Sequence, residues 1–307
     1  TEPKEIMSDD ISSDDATADG SSNVATQAST SYVLKSTSSE TSATSGFLGN
    51  TNIQRQNIES VEFVSYINGR DNPWDVSEAG DGSVMAWTES TSNGLYKVYI
   101  GTYGGNTIYA NPDSSYLFAY IGYSSSCTAT TTISGFDYLN TSNVTNMNRM
   151  FYFCGYNAMK TLDLGNNFDT SNVTSMNYMF YDCGYKAMTS LSLGEKFDTS
   201  NVTSMGYLFY ECGSTAMTSL DLGPAFTKIT TNYHLFDDCG KQNSNMIYCA
   251  EDIYYDSNNF KWNSTSTDKI SYTRGTIKKK YEKKNYLKST SSETSATSGF
   301  LGNTNIQ

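Results

Sequence analysis

Apolar positions recur through the middle of this chain at two alternating spacings. Val173, Met176, Met179, Phe180 and Cys183 stand at i, i+3, i+6, i+7 and i+10, the spacing of one helix face. Thr170, Ser171 and Asn172 precede them as candidate N-caps, and Gly184 follows as a residue free to take the left-handed position after a helix. The period then switches. Met188, Leu191 and Leu193 form an apolar series in which Leu191 and Leu193 alternate with Ser190 and Ser192, as in a strand with one buried face. Each unit therefore predicts a short helix, a turn and a short strand.

The unit repeats. Residues 168–194 read FDTSNVTSMNYMFYDCGYKAMTSLSLG, and residues 197–223 read FDTSNVTSMGYLFYECGSTAMTSLDLG. An earlier copy contains NTSNVTNMNRMFYFCGYNAMKTLDLG. Cys154, Cys183 and Cys212 fall 29 residues apart, and a degraded last copy places Cys239 27 residues further on. A fixed period of roughly 20–50 residues predicts stacked supersecondary units, each unable to bury its apolar side alone.

The motif F-D-T-S-N-V-T-x-M-x-x-M/L-F-x-x-C followed by L-x-L resembles the leucine-rich repeats of BspA-like bacterial surface proteins. The resemblance covers residues 137–240 strongly, and residues 58–136 are similar to the lead-in segment such proteins carry. It implies secretion, surface display and adhesion, without implying a shared ligand. The expected fold class is α/β: a short leucine-rich-repeat-like solenoid of 29-residue helix-turn-strand repeats with parallel strands and a β-rich N-terminal cap. Residues 1–45 read as a disordered Ser/Thr-rich linker and 46–113 as the β-rich cap. Residues 114–240 read as the solenoid and 241–286 as a C-terminal cap, with Ile253, Tyr254, Phe260, Trp262, Ile270 and Tyr272 buried.

Residues 34–54, LKSTSSETSATSGFLGNTNIQ, recur identically at 287–307, an offset of 253. The simplest account is a tandem array, with 287–307 opening the next unit. The rival is head-to-tail self-association, in which 287–307 docks on a neighbouring molecule. The chain opens at Thr1 and reads as a processed or excised fragment.

A formal charge of −12 disfavours a general nucleic-acid partner, which needs clustered positive charge. Twenty-four tyrosines against 20 lysines and arginines suit an extracellular surface. No apolar run approaches the roughly 20 residues of a membrane span. The periodic cysteines are expected as buried thiols rather than disulfides. Neither a metal nor a cofactor is expected.

The leading candidate site is a tyrosine array. Tyr178, Tyr181 and Tyr185 share a face, Tyr152 and Tyr210 match Tyr181, Tyr156 matches Tyr185, and Tyr207 matches Tyr178. These rows suit recognition of a protein or glycan, or else a stacking ladder. A second candidate is the exposed strand face, with Asp163, Ser192 and Asp221. The N-V-T sequons at Asn143, Asn172 and Asn201 read as turn hydrogen-bonding residues, as do Asp169 and Asp198. The basic run 277–285 reads as a solvated strand end or linker. His234, the sole histidine, has no nucleophile or metal constellation beside it, so an enzyme is not expected. The expected function is adhesion to host or microbial surface ligands. The alternatives are a structural spacer and a self-assembling surface module.

Overall fold

In the computed structural model, alternate backbone N–H groups of the repeat point to the neighbouring coil, and this decides the fold. Met176, Tyr178, Phe180 and Asp182 donate to the carbonyls of Ser204, Gly206, Leu208 and Tyr210, at 2.8–2.9 Å. The residues between them close tight turns, with Met179, Tyr181 and Cys183 donating to Met176, Tyr178 and Phe180 at 3.1–3.2 Å. An α-helix would direct these donors to the residue four back. Tyr178 and Asp182 have φ of 58° and 55°, left-handed values that interrupt any helix. The expected helix-turn-strand solenoid is thus overturned. Among the described residues there is no α-helix, and the predicted helical half is a ladder of consecutive turns.

The structure describes residues 32–37, 46–49, 51–91, 94–230 and 234–240, together with the backbone of Met246–Ala250 and Thr276–Tyr281. The six buried positions expected in the C-terminal cap and the copy at 287–307 lie outside these residues.

The strands are β1 (Ile58–Phe63), β2 (Trp74–Asp75), β3 (Met85–Ser90), β4 (Tyr96–Gly101), β5 (Ile108–Tyr109) and β6 (Thr132–Ser134). They continue with β7 (Leu139–Asn140), β8 (Thr161–Asp163), β9 (Ser190–Ser192), β10 (Ser219–Asp221), β11 (Met246–Ala250) and β12 (Thr276–Tyr281). One sheet runs β2-β3-β4-β1-β6 and a second runs β12-β11-β10-β9-β8. In the first, β3 and β4 form an antiparallel pair, while β1 lies parallel to both β4 and β6. The second is parallel throughout, in register from β8 to β11 with Leu162 beside Leu191 and Leu191 beside Leu220, and shifts register between β11 and β12 at Cys249/Ala250. The basic residues of 277–281 lie within β12.

Each coil contributes the same rungs to the core. Phe118, Phe151, Phe180, Phe209 and Phe236 form a continuous stack with centroids 5.0–5.4 Å apart. Cys154, Cys183, Cys212 and Cys239 are buried free thiols along the same axis. Desolvation pushes the Cys183 and Cys212 thiols well above their ordinary value. For Cys239 the bond from Cys212 is the first cause and burial the second. The stack includes Phe118, so 113–123 forms a first coil 33 residues ahead of its equivalent. Two bridges extend its register, Asp113 with Asn146 and Asn146 with Ser175.

Threonine and asparagine side chains tie coil to coil. The hydroxyls of Thr145, Thr174 and Thr203 donate to the backbone carbonyls of Pro112, Thr145 and Thr174. Asn177 Oδ1 accepts from the Ser204 hydroxyl and from the Gly206 N–H, both at 2.8 Å. Only glycine fits where the coils meet most closely: a Cβ on Gly194, at φ 80°, would stand 1.8 Å from the Gly165 carbonyl oxygen.

The packed unit begins before residue 46. Val33 bridges in parallel to Tyr109, and Leu34 antiparallel to Ser77. Leu34, Phe47 and Leu48 are fully buried. Part of the stretch read as linker therefore docks on the core.

Candidate functional site

The turn segments place tyrosines at fixed offsets from the buried phenylalanines, and the intercoil hydrogen bonds hold equivalent residues in columns. Tyr178 stacks on Tyr207 at 4.8 Å and 6°. Tyr181 stacks on Tyr210 at 4.7 Å and 11°, and Tyr152 lies 5.2 Å from Tyr181 at a 37° tilt. Tyr156 stacks on Tyr185 at 4.9 Å and 7°. All seven rings are half-buried, while Met176, Met179 and Phe180 on the opposite side of the turns are wholly enclosed.

The columns are longer than the seven tyrosines. Tyr116 and Arg149 extend the Tyr178 column. The Arg149 guanidinium lies 4.6 Å from the Tyr178 ring centre and 5.6 Å from that of Tyr116, and donates to the Tyr116 hydroxyl. At the other end the His234 ring stacks on Tyr207 at 4.8 Å, and Nδ1 is bonded to Asp237. The single histidine is thus a rung of an aromatic column. Tyr123 extends the Tyr156 column at 5.3 Å. The sequence held a signal for this first coil, since Phe118, Gly122 and Tyr123 keep the spacing of Phe151, Gly155 and Tyr156.

A further column changes chemistry along its length. Tyr120 stacks on Phe153 at 5.3 Å and 9°, but the next equivalents are Asp182, Glu211 and Asp238. Asp182 is 6% exposed, and its Oδ1 has no hydrogen-bond partner. Burial, followed by the charge of Glu211, pushes its carboxyl up to about 8, which favours its neutral form. Desolvation also raises the flanking phenols. Tyr210 moves to about 12, with Glu211 the next cause, and Tyr181 moves higher still, with Asp182 the next cause. Tyr181 and Tyr210 are therefore held in their neutral hydroxyl form.

The strand-face residues lie on a different segment of each coil. Asp163 is exposed, and Ser192 and Asp221 are half-exposed. Both carboxylates are engaged in turns, Asp163 Oδ1 accepting from Gly165 N–H and Asp221 Oδ1 from Gly223 N–H. Where β6 passes β8, an open cleft of about 340 Å³ is lined by Thr132, Asp137, Thr161 and Asp163 among others.

The sequon asparagines serve the ladder. Asn172 and Asn201 donate through Nδ2 to the carbonyls of Ser142 and Ser171, while Asn143 is exposed. Asp169 and Asp198 accept from the N–H groups of Ser171 and Ser200 in Asx turns. Among the described residues, no group of three or more His, Cys, Asp or Glu side chains is placed to hold a metal. No helix among them is long and apolar enough to cross a membrane.

Comparison with known proteins finds no match among curated proteins or solved structures. A family model does match, twice and with overlap, over residues 123–249 and 166–284. The matched region runs from the first tyrosine column through β12, more than half of the 307 residues. On that span the chain belongs to the family described as "Mycoplasma protein of unknown function, DUF285".

Proposed function

We propose that this chain is a non-catalytic surface-binding unit that engages a polar protein or glycan surface through the hydroxyl-bearing edges of its tyrosine columns. The observation behind it is the register of Tyr152, Tyr181 and Tyr210 with Tyr178 and Tyr207 across consecutive coils. Tyrosine offers large contact area at low entropic cost, and stacking in columns holds these rings before any ligand arrives. Their faces are largely covered by neighbouring rings, so the groups presented outward are edges and hydroxyls. Such a surface favours hydrogen bonding to a polar ligand over stacking on a sugar face. The motif's resemblance to BspA-like surface proteins supports secretion and display outside a bacterial cell, as does the tyrosine-rich, weakly charged composition.

Ring-on-ring stacking also favours a second reading, a spacer whose aromatic columns only stiffen the stack. One substitution set separates the two. Replacing Tyr152, Tyr181 and Tyr210 by Phe keeps the stacking and removes the hydroxyls. The full chain is screened against immobilised extracellular-matrix proteins and a glycan array. The binding reading expects a saturable ligand whose affinity falls about tenfold or more in the triple variant, as loss of one or two hydrogen bonds implies. A ligand held equally well by the triple variant contradicts the hydroxyl-edge reading. A blank screen with folded protein leaves the spacer.

A further inference from the structure

Residues 34–37, 46–49 and 51–54 are seated parts of the fold. The main chain pairs on both sides: Leu34 N–H donates to the Tyr109 carbonyl and Lys35 N–H to the Val76 carbonyl, each at 2.8 Å. Asn111 Nδ2 donates to the Leu34 carbonyl. Thr37 lies under Arg55, and the Arg55 guanidinium stands 5.4 Å from the Phe47 ring. Phe47 packs on Phe118, the first rung of the phenylalanine stack, at 6.3 Å. Trp74 Nε1 donates to the Phe47 carbonyl at 2.9 Å. A Cβ on Gly49 would stand 3.0 Å from the Trp74 ring, so the seat also selects a glycine.

Every residue of this segment that enters these contacts has an identical counterpart at 287–307. Leu287, Thr290, Phe300, Leu301, Gly302 and Ile306 correspond to Leu34, Thr37, Phe47, Leu48, Gly49 and Ile53. A seat defined by main-chain pairing and apolar side chains cannot distinguish two copies of one sequence. We infer that residues 287–307 are a second ligand for this seat, and that they fill it on a second copy of the chain, joining copies head to tail.

Occupancy follows from effective concentration. The resident copy is covalently attached to its own seat, and a short flexible connection gives an attached segment an effective concentration around millimolar. Dilute protein therefore keeps 34–54 in place. Copies crowded together, or a resident segment weakened by substitution, shift occupancy to the tail of a neighbour. The contact is heterologous, so it extends a chain of copies rather than closing a twofold pair. It is also independent of the tyrosine columns, which lie on other residues.

The test uses the full chain. Phe47→Ala with Leu48→Ala weakens the resident segment and leaves the tail intact. Sedimentation velocity is expected to show concentration-dependent association of this variant at a concentration at least tenfold below that of the unmodified chain. Adding Phe300→Ala and Leu301→Ala is expected to abolish it, and excess synthetic peptide of residues 287–307 to disperse it. Should the first variant fail to fold, the unmodified chain near millimolar concentration serves instead, compared with Phe300→Ala/Leu301→Ala alone. Association that survives loss of Phe300 and Leu301 overturns the inference, as does a monomer at every concentration. Tail-dependent stabilisation that does not vary with concentration also overturns it, because the tail would then be filling the seat of its own chain.

Discussion

The N-terminal β region and the repeat stack bury similar apolar side chains but are held together in opposite ways. In the stack each interaction recurs: a phenylalanine on a phenylalanine, a threonine hydroxyl on the carbonyl of the preceding coil, a cysteine beside a cysteine. In the N-terminal region each tie occurs once. Arg55 is 3% exposed and donates to the carbonyls of Tyr116, Leu117 and Ala119, joining the seated segment to the first coil. Trp74 Nε1 donates to the Phe47 carbonyl. Redundancy makes a stack tolerant of a lost rung, because its stability is nearly a sum of unit and neighbour terms. A junction built from single contacts has no such reserve.

Arg55→Met should give the largest effect. It leaves three carbonyls at the junction without their shared donor, and each buried acceptor left unsatisfied costs about 1–3 kcal/mol, so a loss of about 3–5 kcal/mol is expected. Urea denaturation should show that loss, and a cost under 1 kcal/mol would place the junction's strength elsewhere. Next comes Gly184→Ala, because geometry can still break a repeated element. At φ 58° the new Cβ would lie 2.4 Å from Met188 Cβ, backbone-fixed and unable to swing away. Combined strain and overpacking of about 2–4 kcal/mol are expected, read as a lower midpoint with unchanged m-value.

Asp182 sharpens the comparison through pH. Its folded carboxyl is raised from an ordinary 3.8 to about 8, so between these values the folded state holds a proton that the unfolded state has released. This contribution to stability is complete below about pH 4, declines as pH rises through the interval, and levels off above about pH 8. Asp182→Asn should flatten that decline and leave the protein more stable than wild type at pH 8, because a carboxamide has no charge to desolvate. Parallel pH series of thermal melts measure the difference. A wild-type curve that rises over the interval, with no response to the substitution, would rule out Asp182 as the titrating group. The smallest effect belongs to Thr174→Val, which removes one exposed rung to the Thr145 carbonyl. About 0.5 kcal/mol is expected, and a loss of several would show that the rungs act as one cooperative unit.

The inward-facing residues of each coil were legible from periodicity. Val173, Met176, Met179, Phe180, Cys183, Met188, Leu191 and Leu193 are all within 1% of full burial. The tyrosine columns follow the same periodicity. Their extension through Arg149 and His234 did not show in the sequence, because a guanidinium or imidazole replaces a phenol only as a flat, stackable group. Residues 34–37 were read as linker for a related reason. Short Ser/Thr-rich segments carry little apolar signal, and what seats this one is backbone pairing to Tyr109 and Val76.

By itself the sequence determined the repeat length, which residues face inward, and where the short L-x-L strands fall, since these follow from spacing within one unit. Tertiary structure alone decided that residues 173–183 form turns instead of a helix. Their apolar spacing fits either conformation. The choice rests on whether each N–H finds its acceptor four residues back or on the next coil, and an acceptor on another coil exists only once the coils have stacked.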